Sequence, residues 1–328
     1  MWTTTRRQLL GSTIAIAMAT VAGGALADEH LPEGGSIEAV ANEGERLRIA
    51  FMAFQNNPFW VPVIEGAEAA TAYLGEFNTT VDYIDLGDNL TPEAVIVGIE
   101  AAVAQGYDGI VTVPIFDGTE RAINEAAEAG VPTINIIAEG SVPSDRILFI
   151  GQNATAAGAQ LGAFMAEEMG GDGKLGVITG YFGAVQHTQR MNGAIDFLAE
   201  NFPDIEIVGP FENQDRAELA YSQVQDMLTA NPDIEMIYVT AGGPFGAARA
   251  VRDLDLTGTV GVVGFDHTPD NTAYIASGEM AGLIDQAPFQ QAFDATVTMH
   301  NFLVTDEAPT EDVLFVDGNL LTADGIQN

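Results

Sequence analysis

From residue 46 onward, short apolar runs alternate with segments of helical periodicity, and this alternation restricts the chain to an α/β fold. The first apolar runs, at 48–54, 80–86, 108–115 and 131–137, predict strands separated by helices. Such a βαβ series places its strands parallel in a sheet that is buried on both faces.

Local signals mark where two of the helices begin. Thr91 before Pro92 predicts a helix start, since threonine can cap the helix and proline suits its first turn. The sequence 117–120 resembles a capping box in which Asp117 takes the capping role.

The alternation restarts near residue 147 and continues towards the C-terminus. Further strands are predicted at 147–151, 174–179, 206–210, 236–240 and 259–265, with helices between them. The chain then returns near Gln286 and near Phe315, and the helix at 289–304 is assigned to the first unit. We therefore predict two doubly wound parallel-sheet lobes joined by a multi-crossing hinge, with a ligand cleft at the carboxyl ends of the strands. The N-terminal lobe comprises 46–152 plus 287–314, and the C-terminal lobe comprises 153–286 plus 315–328.

The first 27 residues have the composition of an export signal. Arg6 and Arg7 form a twin-arginine pattern, an apolar run follows at 11–24, and Ala25-Leu26-Ala27 fits the small-x-small rule for cleavage after Ala27. A general secretory signal remains an alternative, while the run is too short for a membrane anchor. We predict a periplasmic protein without membrane insertion, whose residues 28–45 form a flexible lead-in.

The charge of the chain excludes several partners. Removing Arg6 and Arg7 from the 11 basic residues leaves 9 bases against 47 acids, a net charge of −38. Such a surface repels nucleic acid and anionic membranes, and it suits a saline environment in which self-repulsion is screened. The chain has no cysteine and therefore no disulfide or thiolate metal site. A monomer is expected.

Catalytic and cofactor motifs are weak throughout the sequence. No nucleophile elbow, phosphate-binding loop or His-Glu-x-x-His helix occurs, and the Gly-x-Gly-x-x-Gly of 171–176 precedes a strand instead of following one. His30, His187, His267 and His300 are not spaced as metal ligands, and His300 is expected on a helix surface. We predict no enzyme activity, no metal and no cofactor, although His187 could donate to a ligand.

A loop rich in amides and aromatics follows the first strand. Asn56 and Asn57 precede Phe59 and Trp60, immediately before a helix. Amides bond hydroxyl groups, and a flat aromatic ring can cover the apolar face of a sugar. The loop therefore indicates a receptor for a small polyhydroxylated molecule, although a turn followed by core aromatics would give the same pattern.

Other polar residues follow strands at the same topological position. Arg190, Asp266 and Gln286 combine a guanidinium, a carboxylate and an amide, groups that suit vicinal diols, and Tyr181 begins the segment that ends at Arg190 and is a weaker candidate. Two alternatives stay open: Arg190 could pair with a nearby acid, and Asp266 could cap a helix ahead of Pro269.

The chain from Arg46 onward resembles the ribose-binding type of periplasmic solute-binding protein, the receptor of an ATP-driven sugar importer. The resemblance rests on segments spread over nearly the whole chain: 56–60, 129–132, the segment through Arg190, 262–266 with 268–270, and 286–288. It implies that Asn57, Phe59, Trp60, Arg190, Asp266 and Gln286 contact the sugar, with an aromatic ring stacked on it.

The sequence also departs from the ribose pattern. An Asp-Arg pair is replaced by Ile137-Ala138, an aromatic contact is replaced near Gln214, and a Gln-Asn pair becomes Thr240-Ala241. Losing the Asp-Arg pair removes strong hydroxyl contacts, so a deoxysugar, a polyol or a substituted sugar fits better than ribose. Asn135, Gln152 and Asn153 are weaker candidates for substitute contacts.

The resemblance implies a receptor that binds a monosaccharide or a related polyol or deoxysugar and delivers it to the permease of an ABC importer. One alternative is a ligand-sensing receptor for chemotaxis or a sensor kinase. A secreted carbohydrate enzyme would need a positioned carboxylate pair, and a sugar-responsive repressor would need a basic DNA-binding segment before the first strand. The sequence provides neither.

Overall fold

The computed structural model describes residues 31–326, and they form two α/β lobes. The strands are β1 (Leu47–Ala53), β2 (Thr79–Asp85), β3 (Gly109–Thr112), β4 (Thr133–Ile137), β5 (Leu148–Gly151), β6 (Gly173–Thr179), β7 (Ile205–Glu212), β8 (Ile234–Val239), β9 (Gly261–Phe265), β10 (Gly282–Asp285), β11 (Val313–Phe315) and β12 (Asn319–Leu321). The helices are α1 (Trp60–Gly75), α2 (Pro92–Ala104), α3 (Glu120–Glu128), α4 (Ala154–Glu168), α5 (Val185–Asn201), α6 (Ala217–Ala230), α7 (Pro244–Asp253), α8 (Pro269–Ser277), α9 (Pro288–Thr305) and α10 (Ala323–Ile326).

Each lobe is built on a six-stranded sheet. The first sheet has the order β11-β5-β4-β3-β1-β2, and the second has the order β12-β10-β9-β8-β6-β7. All pairings are parallel except that of β10 with β12. The strand order reverses beside β1 in one sheet and beside β6 in the other, which is where open α/β sheets bind ligands.

The chain crosses between the lobes three times, after β5, after β10 and after β11. Helix α9 packs on the first sheet, as the sequence predicts for 289–304, whereas α4 packs against α5 in the second lobe. Phe315, assigned to the C-terminal lobe from sequence, ends β11 of the first sheet. The last crossing therefore lies between Phe315 and Asn319.

The helix starts agree only partly with the sequence signals. Thr91 caps α2 by accepting a hydrogen bond from the Ala94 backbone N at 3.3 Å. Asp117 does not cap α3, because its carboxylate accepts from the backbone N and hydroxyl of Ser141, and Thr119 occupies the capping position. The capping-box prediction is therefore wrong.

Glycines allow two helices of the second lobe to approach closely. A Cβ at Gly158 of α4 would lie 2.1 Å from the Arg190 carbonyl oxygen, and one at Gly193 of α5 would lie 2.2 Å from that of Thr155. Any larger residue at either position would push α4 and α5 apart. This contact fixes the backbone of Arg190, whose carbonyl oxygen also accepts from the Tyr238 hydroxyl at 3.1 Å.

Residues 34–40 lie along α9, which the prediction of a flexible lead-in did not anticipate. The buried Asp294 carboxylate accepts from the Ser36 backbone N at 2.8 Å and from the Ser36 hydroxyl at 2.6 Å. His300 is also buried, bonded to the Thr79 hydroxyl and the Val40 carbonyl, both at 2.8 Å. The prediction that His300 lies on the surface is wrong, because its ring joins the lead-in to the first lobe.

Replacing Asp294 with alanine should release this segment. Its carboxylate accepts three hydrogen bonds from Ser36 and Ile37, and bonds to charged groups contribute about 1.5–3 kcal/mol. We expect urea denaturation to show a loss of free energy of unfolding of about that size. The exposed Asp226 supplies the control, since Asp226→Ala should change stability by less than about 0.5 kcal/mol. Equal effects of the two substitutions would contradict a tethering role for Asp294.

Within residues 31–326, no helix combines the length and the apolar character required to cross a membrane.

Candidate functional site

A small cavity, which we call the closed cavity because nearly all its lining residues are buried, lies between the two lobes at the carboxyl ends of their strands. Six residues predicted from sequence as ligand contacts all line it: Asn57, Phe59, Trp60, Arg190, Asp266 and Gln286. Its walls also include Leu90, Ile115, Ile137, Gln186, His187, Asp215, Ala241 and Gly242. Side chains that are far apart in the sequence therefore meet at one place, although their contact with a ligand stays a prediction.

The first-lobe wall is the turn between β1 and α1. The Asn57 side-chain oxygen accepts from the Phe59 backbone N at 2.9 Å, which holds the turn in shape. The Trp60 indole N donates to the Asn56 side-chain oxygen at 2.7 Å. The Trp60 ring packs edge-on against the Phe59 ring, with 5.1 Å between the ring centroids. These bonds leave the Phe59 and Trp60 rings as a rigid apolar wall.

The second-lobe wall is centred on Arg190, which is almost fully buried on α5. Its guanidinium donates to the Gln286 side-chain oxygen and, at 3.3 Å, to the Thr240 carbonyl, and it stacks 4.0 Å from the Phe265 ring centroid. Gln286 in turn donates to Asp266. A single network thus joins α5, the strand end of β9 and the crossing after β10.

Two buried carboxylates face the cavity. Asp266 accepts from Gln286 through Oδ1, and Asp215 accepts from the Gly242 backbone N at 2.9 Å through Oδ1. No hydrogen bond formed within residues 31–326 involves Oδ2 of Asp215 or Oδ2 of Asp266. Both residues are only 7% exposed. Each Oδ2 is thus available to accept from a ligand hydroxyl.

Burial controls the ionisation of these groups. It raises the pKa of both Asp215 and Asp266 to about 6, against the opposing effect of the Arg190 charge. The same desolvation lowers the pKa of Arg190 to about 10, so Arg190 stays protonated at neutral pH. At pH 7 the cavity wall therefore holds two carboxylates and one guanidinium.

His187 is held as a neutral hydrogen-bond donor. Burial, assisted by the nearby Arg190 charge, lowers its pKa to about 3. Its Nδ1 accepts from the Tyr181 backbone N at 3.1 Å, so the proton of the neutral ring lies on Nε2. A ligand oxygen in the cavity can accept from that nitrogen.

Several residues around the cavity have a backbone conformation that residues other than glycine rarely adopt. Asp215, Asp266 and Ala287 have positive φ angles of 57°, 77° and 50°, and Ile137 has a φ of 68°. Such a φ is a true outlier for a β-branched residue. Ile137 is held there by two amides, since its N–H donates to the Gln291 side-chain oxygen at 2.9 Å and its carbonyl accepts from Gln186 at 2.6 Å.

Direct contacts hold the lobes closed over the cavity. The Gln186 bond to Ile137 crosses between them, and the Val185 backbone N donates to the Ile115 carbonyl at 3.3 Å. The Phe116 ring packs edge-on against Tyr181 with a centroid separation of 5.9 Å. A hinge opening would break these contacts.

The weaker sequence candidates, apart from His187, lie outside the closed cavity. Tyr181 packs between Phe116 and His187, and Thr240 bonds the Thr179 hydroxyl at 2.9 Å while only its carbonyl reaches Arg190. Gln214 is exposed, and a positive φ at Gln214 turns the chain so that Asp215 lines the cavity instead.

The remaining three candidates lie in β4 and just after β5. Asn135 is buried within β4 and donates to the Glu139 carboxylate at 3.2 Å. Gln152 and Asn153 line a different cavity of about 210 Å³, where Asn153 caps α4 by accepting from the Ala156 backbone N at 3.0 Å. None of these three side chains lines the cavity that contains Arg190.

The sequence analysis did not identify Asp215 and Gln186, two polar residues that line the closed cavity. Asp215 directly follows Gln214, which the sequence analysis named as a weaker candidate. The signal was available in Asp215 itself, a carboxylate just before α6, but the backbone turn that buries it could not be seen from the sequence. The interpretation of Asp266 as a helix cap is wrong, because Thr268 caps α8 by accepting from the Asn271 backbone N at 3.3 Å.

A second, larger cavity opens beside the closed one. It has a volume of about 380 Å³, and it shares Asn57, Phe59, Asp215, Gly242 and Asp266 with the closed cavity. We call it the side cavity. Its outer wall is formed by Asn56, Pro58, Arg216, Ala217, Glu218, Gly243, Pro244, Phe245, Thr268 and Asn271.

Known proteins share both the sequence pattern and the fold. A ribose import binding protein of Salmonella typhimurium is 27% identical over 258 residues, covering 78% of this chain and 83% of the relative. A xylitol-binding protein of Mycolicibacterium smegmatis is 24% identical over 251 residues, covering 76% of this chain and 69% of the relative. The crystal structure of an ABC transporter solute-binding protein from Burkholderia graminis in complex with D-arabinose matches with a TM-score of 0.79 at 22% identity. The match covers 86% of this chain and 97% of that one.

The family model for the periplasmic binding protein domain matches residues 49–307, a range that begins within β1 and contains β2 to β10 and nine of the ten helices described above. Because this match spans most of the chain and reaches both lobes, the protein belongs to the periplasmic binding protein domain family.

Proposed function

We propose that this protein is the periplasmic receptor of an ABC importer, which closes its two lobes over a sugar-like ligand and delivers that ligand to the membrane permease. The observation that carries the proposal is the shared cavity. An aromatic wall with Asn57 from the first lobe faces Arg190, Asp215 and Asp266 from the second. Ring stacking and charge-assisted bonds to hydroxyl groups require that combination.

The relatives support a polyhydroxylated ligand. By their names, one binds ribose and another binds xylitol, an open-chain polyol. In this chain Ile137 forms part of the first-lobe wall where the ribose pattern has a charged pair. An apolar edge on the ligand would pack against Ile137, so we propose a deoxysugar, a polyol or a substituted sugar as the ligand.

We further propose that the chain is exported by a twin-arginine signal cleaved after Ala27 and that it acts as a monomer in the periplasm. The signal lies outside residues 31–326. The high net negative charge supports a saline environment. N-terminal sequencing of the secreted protein should begin at Asp28, and a different first residue would contradict the proposed cleavage site.

A thermal-shift screen tests the ligand class. Pentoses, hexoses, deoxysugars, polyols and glycosides should be compared with small organic acids, because selective binding to the folded state raises the melting temperature. At 100 times the dissociation constant the expected stabilisation is about 2.7 kcal/mol. Stabilisation by organic acids, without any by the polyhydroxylated compounds, would contradict the proposal.

Ligand affinity should depend on pH through Asp215 and Asp266. Their pKa values, raised from 3.8 to about 6, mean that acid protonates them in the folded, ligand-free protein. Hydroxyl donors bind the ionised form, so we expect affinity to rise between about pH 5 and 7 and to change little above that range. Calorimetry in buffers of different ionisation enthalpy should detect proton release near pH 6.

The same two carboxyl groups act on stability with the opposite sign. Their contribution to the free energy of unfolding is fully present below pH 3.8 and is lost as the pH rises through about 6, because burial opposes ionisation. Asp266→Asn should reduce the pH dependence of ligand affinity and also that of the free energy of unfolding. An affinity that stays constant from pH 5 to 8 in the unmodified protein would contradict the role assigned to these carboxylates.

A further inference from the structure

The side cavity is the one of the two neighbouring cavities that has room for a sugar ring. Its volume of about 380 Å³ falls within the range of about 300–1,000 Å³ that is usual for small-molecule sites. The closed cavity, at about 30 Å³, has roughly the space of one water molecule. The ring of a single monosaccharide-sized ligand therefore lies in the side cavity, where it meets Asp215 and Asp266.

The buried charges beside this space are out of balance. Asp215 and Asp266 are each 7% exposed, and both are ionised at pH 7. Together with the buried Arg190 they give two carboxylates against one guanidinium, a net charge of −1. Arg216 and Glu218 add one charge of each sign at the exposed rim. A buried net charge is costly unless a partner compensates it.

Arg190 does not compensate these carboxylates by direct pairing. Its guanidinium donates to the Gln286 side-chain oxygen and the Thr240 carbonyl, and no ion pair formed within residues 31–326 joins it to Asp215 or Asp266. Burial raises the pKa of both carboxyl groups to about 6, and the Arg190 charge offsets this effect only in part. Arg190 is also absent from the side-cavity wall. A ligand in the side cavity therefore meets two carboxylates that lack a cation.

Both carboxylates need a donor as well as a positive charge. Oδ1 of Asp215 accepts from the Gly242 backbone N, and Oδ1 of Asp266 accepts from the Gln286 side chain, whereas no described residue bonds either Oδ2. An ammonium group has three donors and no acceptor. Its bonds to carboxylates are roughly twice as strong as bonds between neutral groups. A hydroxyl group would supply the donor and leave the charge uncompensated.

The rest of the side-cavity wall suits the frame of a carbohydrate. Pro58, Phe59 and Phe245 provide apolar surface on which the faces of a sugar ring can pack. The Asn56 side-chain oxygen is bonded to Trp60, which leaves the amide nitrogen as a donor for a hydroxyl group. The wall therefore matches a molecule that combines hydroxyl groups with a cation.

We propose that the ligand is an amino sugar or an aminated polyol, whose ammonium group bonds Asp215 and Asp266 in the side cavity. This inference rests on the proposed function and narrows its ligand class. The ammonium charge brings the net charge of the buried groups to zero, and the apolar faces of the ligand pack on Pro58, Phe59 and Phe245. A neutral substituent at the same position cannot replace the ammonium group.

Calorimetry at pH 7 with matched compounds tests the proposal. Glucosamine, galactosamine and mannosamine should each be compared with the parent hexose and with the N-acetyl derivative, which keeps the nitrogen and removes its charge. Glucamine should be compared with glucitol. We expect at least one amine to bind about ten times more tightly than its neutral counterparts, because it alone forms charge-assisted bonds in which both partners are ionised.

Two outcomes separate this inference from the proposed function. If the neutral compounds bind as tightly as their amines, or if a neutral compound from the thermal-shift screen binds while no amine does, the inference is overturned and the proposed function stands. If no polyhydroxylated compound binds, with or without an amine, both are overturned.

Removing one buried charge at a time gives an independent result. Asp215→Asn and Asp266→Asn keep the shape of the side chain, and each variant should fold because it loses a buried charge. In each variant the affinity for the amine, divided by that for its N-acetyl derivative, should fall about fivefold. A general distortion of the site would weaken both compounds and leave that ratio unchanged.

Asp270→Asn is the matched control, since Asp270 is an exposed carboxylate on the first turn of α8 and its loss should leave the ratio unchanged. An unchanged ratio in both Asp215→Asn and Asp266→Asn would overturn the inference.

Discussion

Replacing Asp266 with alanine is expected to weaken binding of the sugar-like ligand at least tenfold. Asp266 is buried on the cavity wall, and its Oδ2 accepts no bond from the described residues. A hydrogen bond to a charged group contributes about 1.5–3 kcal/mol, and 1.4 kcal/mol corresponds to a factor of ten in affinity. The loss should also exceed that of one bond, because Gln286 would lose the partner that orients its amide.

Calorimetry with the best stabiliser from the thermal-shift screen measures this effect. Asp270→Ala provides the matched control, since Asp270 is an exposed carboxylate on the first turn of α8. Asp266→Asn keeps the shape and removes the charge, so it should lie between the alanine variant and the unmodified protein. Unchanged affinity in Asp266→Ala would exclude the role that we assign to this carboxylate.

Replacing Arg190 with alanine should affect both folding and binding. The side chain is buried, stacks on Phe265 and bonds Gln286 and Thr240. Its removal creates a cavity and leaves Asp215 and Asp266 without a nearby positive charge. Truncating a large buried side chain costs about 3–5 kcal/mol.

Urea denaturation should therefore show a loss of about that size, and ligand affinity should fall at least tenfold in the fraction that remains folded. Arg252→Ala removes a more exposed arginine from α7 and should have little effect on either quantity. Arg190→Lys keeps a positive charge but loses the planar fork, so it should recover only part of the stability. Full recovery by lysine would mean that charge alone matters at this position.

The two-lobe fold was predictable because its strands and helices have clear periodicity. Strands β1 to β9, helices α1 to α7 and helix α9 lie, within a few residues, where apolar runs and helical spacing indicate. The elements that sequence reasoning missed are α8, α10 and the short strands β10, β11 and β12. Those three strands have only three or four residues each, so too few positions are available for a period of two to be recognised.

The candidate site was predictable to the extent that its residues follow strands. Asn57, Phe59 and Asp266 lie directly after β1 and β9, and the topology of parallel sheets brings such positions together. Asp215 and Gln186 could not be selected in this way. Asp215 reaches the cavity through consecutive positive φ angles at Gln214 and Asp215, and Gln186 reaches Ile137 only when the lobes are closed.

Long-range packing explains the other differences. The lead-in segment is short and rich in glycine and acidic residues, which is typical of a flexible chain. It is nevertheless bonded to Asp294 and His300 of α9, more than 250 positions away in the sequence. No local pattern predicts partners at that separation.

The crystal structure of the protein grown with its best stabiliser tests the central claim most directly. We predict electron density for one ligand between the lobes, in contact with Phe59 or Trp60 on one side and with both Asp215 and Asp266 on the other. Density confined to one lobe, or located away from these four residues, would contradict the account.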